Sequence, residues 1–467
     1  MENENDESKI THSKLEMASF GFASLSREYL RIAFSTTAFF FYETVVQLNL
    51  WLTGLAFVLF AIYNMFNDPI VGFITNREFK FTKKWGRRFP FILLGALPWG
   101  FSYIIIFLPP TTDAVNDAWI LFFWLLFTTC LFDTFHSIFF VNFIALFPDK
   151  FRSMKERRLT SGIQIMIGVV GTALGAIVPP LFLPEGYTGI TNYILQGVVT
   201  FFICTGGFLI SIPGVREDRD TIDHYIEKQK EKSSQSLSFF KSLLRAIKQK
   251  PFISFMVIYT LYQSLVETMQ ASVHYVIKYT FGMDPDASTL IFAAFLIGVL
   301  ISTPVWTKIS HKVNDNRKLL IIASLMLAVI TFPMTFLRNY WFIVLNMFFW
   351  GIPLGGFWVM ISPVTSDVID NSIVLTEKRE ESLYTGFQMF FGRLGIVAQA
   401  LTFVIVHSLT GFDVDPYSES AIWGIHIHLA VVPTIFMLIG VAVFWKFYDL
   451  TPDKIVQNRD QIRRLKL

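Results

Sequence analysis

The sequence predicts an all-α polytopic membrane protein, with about twelve transmembrane helices in two six-helix bundles. Three observations predict it. The 467 residues are 53% hydrophobic and 16% aromatic, with mean hydropathy +0.50, too apolar for a soluble globule. Apolar stretches of about 20 residues recur along the whole chain, each long enough to cross a bilayer. One motif also returns in the second half at the corresponding helix.

The elements follow in order. Residues 1–17 are polar and acid-rich and lack a basic region followed by a short apolar core, so a cytosolic tail is expected rather than a cleaved signal. Apolar segments at 18–43, 50–76, 89–109, 117–147, 159–183 and 191–213 form the first six spans, and 18–213 the first bundle. A polar segment, 214–250, links the halves. Spans at 251–279, 286–308, 318–337, 341–370, 381–409 and 421–446 form the second bundle, 251–446, and a tail follows over 447–467.

Charge orients these spans. Loops after even-numbered spans, with the C-terminal tail, hold roughly thirty Lys and Arg, and loops after odd-numbered spans about two. Both termini are therefore expected in the cytosol, most simply at the cell membrane. Net charge, +3, excludes no partner class by itself, and nothing points to nucleic acid. The two cysteines, Cys130 and Cys204, fall in apolar segments and suggest neither a disulfide scaffold nor a metal cluster. Within the link, Phe240, Leu243, Leu244 and Ile247 share a face, which fits a helix lying in the membrane interface or a soluble tether.

The internal repeat sets the architecture. ERRLTSGIQIMIG opens span 5 and EESLYTGFQMFFG opens span 11; both read L-x-[ST]-G-[IF]-Q-x-x-x-G. A weaker echo aligns Pro69 with Pro304. Two parallel repeats of six helices describe the major facilitator architecture, which places its substrate site near the midplane.

Polar groups at membrane depth mark candidate chemistry. Asp68, in NDPIVGFIT of span 2, leads them, because a carboxylate in the hydrocarbon costs about 3 kcal/mol or more. Asn64 lies one turn before it on the same face. Glu28 and Arg31 are spaced to pair on span 1. Asp133 and His136 lie in span 4, and Gln263, Glu267, Gln270 and His274 make a stripe along span 7. These groups serve either as internal ion pairs between helices or as the lining of a water-filled path. Glu43, near the end of span 1, is expected to be solvated. The basic loop Arg77–Arg88, with Arg87 and Arg88 at its end, is expected to meet Asp149, Asp367 and Asp370 as a gate.

NDPIVGFITN…WGRRFPFIL and FWVMISPVTSDVIDNSIVLTEKREESLYTGFQMFFGRLG closely resemble the helix 2–3 and helix 10–11 regions of the glycoside–pentoside–hexuronide:cation symporters, the melibiose permease-like family. FWKFYDLTPDKIVQNRDQIRRL is a weaker third match. The resemblance implies a cation-coupling site at Asp68, which matches the second of the family's two helix 2 carboxylates, with Asn64 where the first would be and Arg393 in place of a helix 11 Lys. It implies substrate contacts at Glu28, Trp358 and Gln388. Phe140 stands where the family has a helix 4 Asp, and Gln164 where it has a helix 5 Arg. Asp133, two turns earlier, is a candidate substitute for that Asp.

The implied function is symport of a sugar or glycoside, or a similar small solute, with a proton or sodium ion. A single carboxylate favours the proton; sodium at Asp68 is the other option. The resemblance extends to lysolipid carriers, whose ligands suit the Phe-rich helices, and a non-transporting receptor on the same fold is a further alternative. No resident cofactor is expected. The expected partners are the solute, the cation and the bilayer, and the protein is expected to be a monomer. An intramembrane enzyme lacks support: there is no GxSxG, no HExxH and no metal-spaced His cluster.

Overall fold

The computed structural model describes residues 10–75, 79–151, 153–183, 189–219, 221–222, 239–376 and 381–464. Twelve long helices organise them: α1 (Lys14–Phe40), α2 (Leu50–Thr75), α3 (Phe89–Ile106), α4 (Ala118–Lys150), α5 (Met154–Leu181), α6 (Ile190–Val215), α7 (Lys250–Tyr275), α8 (Ala287–Val313), α9 (Asn316–Thr331), α10 (Tyr340–Thr376), α11 (Glu381–Thr410) and α12 (Glu419–Phe447). Among the described residues, eleven are long and apolar enough to cross a membrane. The exception, α1, is as long as the others but carries Arg27, Glu28 and Arg31 in its middle. Its 27 residues rise about 40 Å.

The helices run past the apolar segments that predict them. α4 continues to Lys150, whose ammonium donates to the carbonyls of Gly214 and Arg216, and α10 runs to Thr376. The sequence gives no warning of three π-helical segments: Phe41–Val45, Val276–Phe281 and Ile427–Val431. The first two end α1 and α7, the first helix of each half.

The chain divides into two compact units, residues 1–234 with 284–289, and residues 235–283 with 290–467. In the first, α1 lies against α5 and α6. Gly171 lets α5 touch it: a Cβ there would sit 2.2 Å from the Leu25 carbonyl oxygen. Phe20 stacks on Phe143 at 4.4 Å, which joins α1 to α4. In the second unit, α7 lies against α11 and α12. The approach there is looser, since a Cβ on Gly395 of α11 would lie 3.0 Å from the Gln263 carbonyl carbon. The Trp306 indole of α8 donates to the Ile352 carbonyl of α10 at 2.9 Å.

Three consecutive residues after α6 fasten one end of the first unit. Arg216 offers its carbonyl to Lys150, as above. The Glu217 carboxylate accepts the backbone N–H groups of Arg88 (2.7 Å) and Phe89 (3.0 Å), capping α3 at its positive end. Gly86 makes room for it, with φ +87° and no Cβ to strike the carboxylate. Asp218 accepts from His12, just before α1, at 3.2 Å, and His12 also contacts Glu156 at 2.8 Å. In the link, the helix Phe239–Ile247 buries Leu243 and Ala246 and leaves Leu244 and Ile247 exposed.

Candidate functional site

α2 presents Asn64, Asn67 and Asp68 within about one turn. Pro69 follows inside the same helix, lacks an N–H and loosens the backbone at that depth. Asn64 is 1% exposed, and its Oδ1 accepts no hydrogen bond among the described residues. Asp68 is half-buried and accepts the Ser137 hydroxyl of α4 at 2.5 Å. The Asn67 amide donates to Ser137 Oγ at 3.0 Å and to Asp133 Oδ2 at 2.9 Å. His136 Nδ1 lies 3.7 Å from Asp133 Oδ1. Asp133 was expected among the substrate groups. It is 3% exposed and belongs to the polar cluster around Asp68, where it accepts from Asn67.

A second cluster forms on α1. Arg27 Nη1 pairs with Glu28 Oε1, and Arg31 Nε donates to Glu28 Oε2 at 3.1 Å. One carboxylate thus holds two guanidinium groups, both partly exposed. The Arg27 guanidinium also lies 3.8 Å from the centre of the Phe140 ring, a cation–π contact. His136 stacks on the same ring at 5.1 Å, so Phe140 stands between the α1 cluster and the Asp68 cluster. Gln164 of α5 donates to Ser24 of α1 at 2.9 Å. A Cβ on Gly168, one turn on, would lie 3.9 Å from Glu28 Cγ. The repeat motif of span 5 therefore packs on the segment that carries Glu28.

The second unit holds the remaining residues. The Trp358 indole N–H donates to the Tyr262 hydroxyl, and Tyr262 stacks on Phe357 at 3.9 Å. Gln388 accepts from Thr365 at 3.2 Å. Gly392 lies against Tyr259 of α7, as Gly168 lies against α1. Arg393 is half-buried on α11. Glu267, Gln270 and His274 of the α7 stripe are buried, and Gln263 is half-buried.

The expected gate residues divide between the units. Arg77 lies outside the described residues, Arg87 is half-buried, and Asp149 is exposed on α4. Arg88 is 7% exposed and donates to Asn142 at 3.1 Å. Asp367, 1% exposed, accepts from Asn316 at 2.8 Å, and Asp370 is half-buried. Sequence reasoning missed Glu217, the carboxylate on the Arg88 backbone. Burial raises its pKa, against the pull of the Phe89, Arg88 and Arg87 N–H groups and the Arg88 charge. Its only sequence signal is an acid just after a span and beside a basic loop. Among the described residues, no group of three or more His, Cys, Asp or Glu could hold a metal ion.

The arrangement as a whole is an ionisable cluster on α2 and α4, joined through one aromatic ring to an arginine-rich cluster on α1. Such groups at membrane depth suit movement of a charged or polar solute.

Comparison with known proteins agrees. The family described as MFS/sugar transport protein matches residues 19–452. The sodium-dependent lysophosphatidylcholine symporter 1-A of Danio rerio is 20% identical over 90% of this chain and 83% of its own length. The sphingosine-1-phosphate transporter MFSD2B of Mus musculus is 24% identical over 59% of this chain and 57% of its own. Among solved structures, a bacterial homolog of the human lysosomal transporter Spinster superposes with a TM-score of 0.64 at 12% identity, covering 96% of this chain and 99% of that one. Its likeness extends to the fold. The chain belongs to the MFS/sugar transport family of the major facilitator superfamily and is a multi-pass membrane protein built as a transporter.

Proposed function

We propose that the protein is a sodium-coupled symporter for an amphiphile of the lysolipid class. Coupling is assigned to Asp68, with Asn64 and Arg393. The orphaned Asn64 Oδ1 supplies a second hard oxygen one turn from the Asp68 carboxylate, which favours sodium over the proton expected from one carboxylate. Relatives named as sodium-dependent lysophosphatidylcholine symporters support the same choice.

The observation that carries the substrate class is Glu28 held by both Arg27 and Arg31, with Arg27 across Phe140. The triad has one positive charge in excess. An anionic phosphate head group neutralises it through planar, bidentate guanidinium contacts. The aromatic wall beside it suits the start of an acyl chain. Trp358, Gln388 and Gln164 are assigned to the remaining substrate contacts. A glycoside has weaker support: the position where the resemblance puts a sugar-binding Asp is Phe140, and Glu28 is committed to two arginines.

In this reading both termini are cytosolic, the membrane is the cell membrane, and the halves are two six-helix bundles joined by a link at the inner interface. Arg87, Arg88, Asp149, Asp367 and Asp370 are assigned to the inner gate.

The test is uptake into proteoliposomes with an imposed sodium gradient, comparing labelled lysophosphatidylcholine with a labelled glycoside. Sodium-driven accumulation of the lysolipid alone is the expected result. Accumulation of the glycoside alone contradicts the substrate assignment, and accumulation of neither leaves the receptor reading in its place.

A further inference from the structure

We infer that Asp133 is a positioning residue for the coupling carboxylate, acting on Asp68 through Asn67 and Ser137. The inference rests on the coupling role proposed for Asp68.

The argument is one of hydrogen-bond direction. An ionised carboxylate only accepts. Asp133 Oδ2, 2.9 Å from the Asn67 amide, therefore faces its NH2 side. The second N–H of that NH2 group goes to Ser137 Oγ at 3.0 Å. Ser137 has a single proton, and it donates it to Asp68 Oδ1 at 2.5 Å. Asn67, Asp133 and Ser137 are 5%, 3% and 0% exposed, so bulk water does not readily substitute in these bonds.

Turning the Asn67 amide over would set its Oδ1 against the Asp133 carboxylate, two acceptors facing each other in a buried site. Asp133 forbids that orientation. Without it, Asn67 Oδ1 is able to turn towards Ser137 and compete for the proton that now reaches Asp68. The donated hydroxyl fixes the plane of the Asp68 carboxylate, and with it the direction in which Oδ2 points. His136 Nδ1 lies 3.7 Å from Asp133 Oδ1, the other oxygen of the positioning residue. The chain crosses from α4 to α2 and back to α4 before it reaches Asp68. It therefore ties the geometry of the coupling carboxylate to the packing of two helices.

The test needs no substrate. The full-length protein in detergent is titrated with sodium chloride at constant ionic strength, with potassium chloride as the balance. The rise in Tm gives an apparent sodium Kd. The wild type is expected to show a sodium-specific rise, and Asp68→Asn to lose it. Asp133→Leu should weaken sodium about tenfold, the loss expected for a bond to a charged group. Asp133→Asn is nearly isosteric but carries an NH2 group that can donate to a turned-over Asn67 Oδ1, so it should still weaken sodium several-fold, whereas a purely structural role predicts a wild-type Kd. Ser137→Ala should weaken sodium to a similar degree, and the Asp133→Asn/Ser137→Ala double variant should be no weaker than Ser137→Ala alone.

A shift lost in Asp68→Asn but kept at the wild-type Kd in Asp133→Leu overturns this inference alone. A sodium shift kept in Asp68→Asn removes instead the coupling reading beneath it. If Asp133→Leu does not fold, the decision passes to Ser137→Ala and the double variant: a wild-type Kd in Ser137→Ala, or additive losses in the double variant, overturn the inference.

Discussion

The two units are built on one plan and carry different chemistry. In each, the first helix ends in a π-helical segment and packs against the fifth and sixth helices, and the fifth helix opens with the same glutamine–glycine motif. In the first unit that motif bears on Ser24 and Glu28, next to two arginines and a network leading to Asp68. In the second, the corresponding glutamine and glycine meet Thr365 and the ring of Tyr259, and Trp358 is tied to Tyr262. At these matching positions the first unit sets partly exposed charge, and the second amides and aromatic rings. The difference teaches that a duplicated scaffold can keep its packing while the polar groups at its matching positions diverge.

The packing side of this comparison can be broken most strongly at α1. Gly171→Ala places a methyl 2.2 Å from a backbone oxygen, where no flexible side chain can give way. It should cost about 1–3 kcal/mol, whereas Gly395→Ala, at 3.0 Å, should cost less than about 1 kcal/mol. Thermal unfolding in detergent checks this, and equal losses would mean that the two interfaces are not differently tight.

A smaller effect is expected from the side chains that set the halves apart. Arg27→Gln should raise the half-saturating lysophosphatidylcholine concentration about tenfold, because it removes a charge-assisted contact. Trp358→Phe keeps a ring and should raise it about two- to threefold. Initial uptake rates at saturating sodium measure both. The reverse order would move head-group recognition to the second unit.

Much of the fold was legible in the sequence, and the reason is physical. Helix length and apolarity are forced by the bilayer, so a long helix stands at each expected span, and eleven of them among the described residues are apolar enough to cross a membrane. The repeat was legible because L-x-[ST]-G-[IF]-Q-x-x-x-G keeps a glycine where one helix nears another. The site was legible only in part. Asp68 stood out as a carboxylate in an apolar helix, and Glu28 with Arg31 by their spacing. The partners Asn67 and Ser137 did not stand out, because their role depends on how α2 and α4 are rotated against each other. Glu217 was hidden because its partners are backbone N–H groups, which have no side-chain signature.

The smallest expected effect lies at the ends of the units. After α6, Glu217 and Asp218 are drawn into the fold, whereas after α12 the Asp449–Lys454 pair is half-exposed. The Asp218 bond, with Glu156 adding to it, raises the His12 pKa despite burial. Burial pushes Asp218 up, but its bond to His12 and the charge of Lys150 outweigh this, and the net shift is downward. A raised His pKa gives stability that is complete below the unfolded value, about 6.5, and lost as pH rises through the folded value. A lowered Asp pKa gives stability present above about 3.9 and lost as pH falls through the folded value. The clasp should therefore be tightest between about pH 4 and 6.5. Hydrogen exchange at 10–14 should speed up above neutrality by more than the intrinsic rate accounts for. His12→Gln should remove that excess, while Lys454→Gln leaves exchange at the end of α12 nearly unchanged.

The central claim is that coupling turns on Asp68 of the first unit. Its most direct test is accumulation of labelled lysophosphatidylcholine in proteoliposomes under an inward sodium gradient, for wild type and Asp68→Asn, with downhill exchange measured alongside. The account predicts that Asp68→Asn loses accumulation by about tenfold or more while keeping measurable exchange, since exchange does not require release of the coupling ion. Accumulation by Asp68→Asn at the wild-type level would make Asp68 a structural residue and contradict the account.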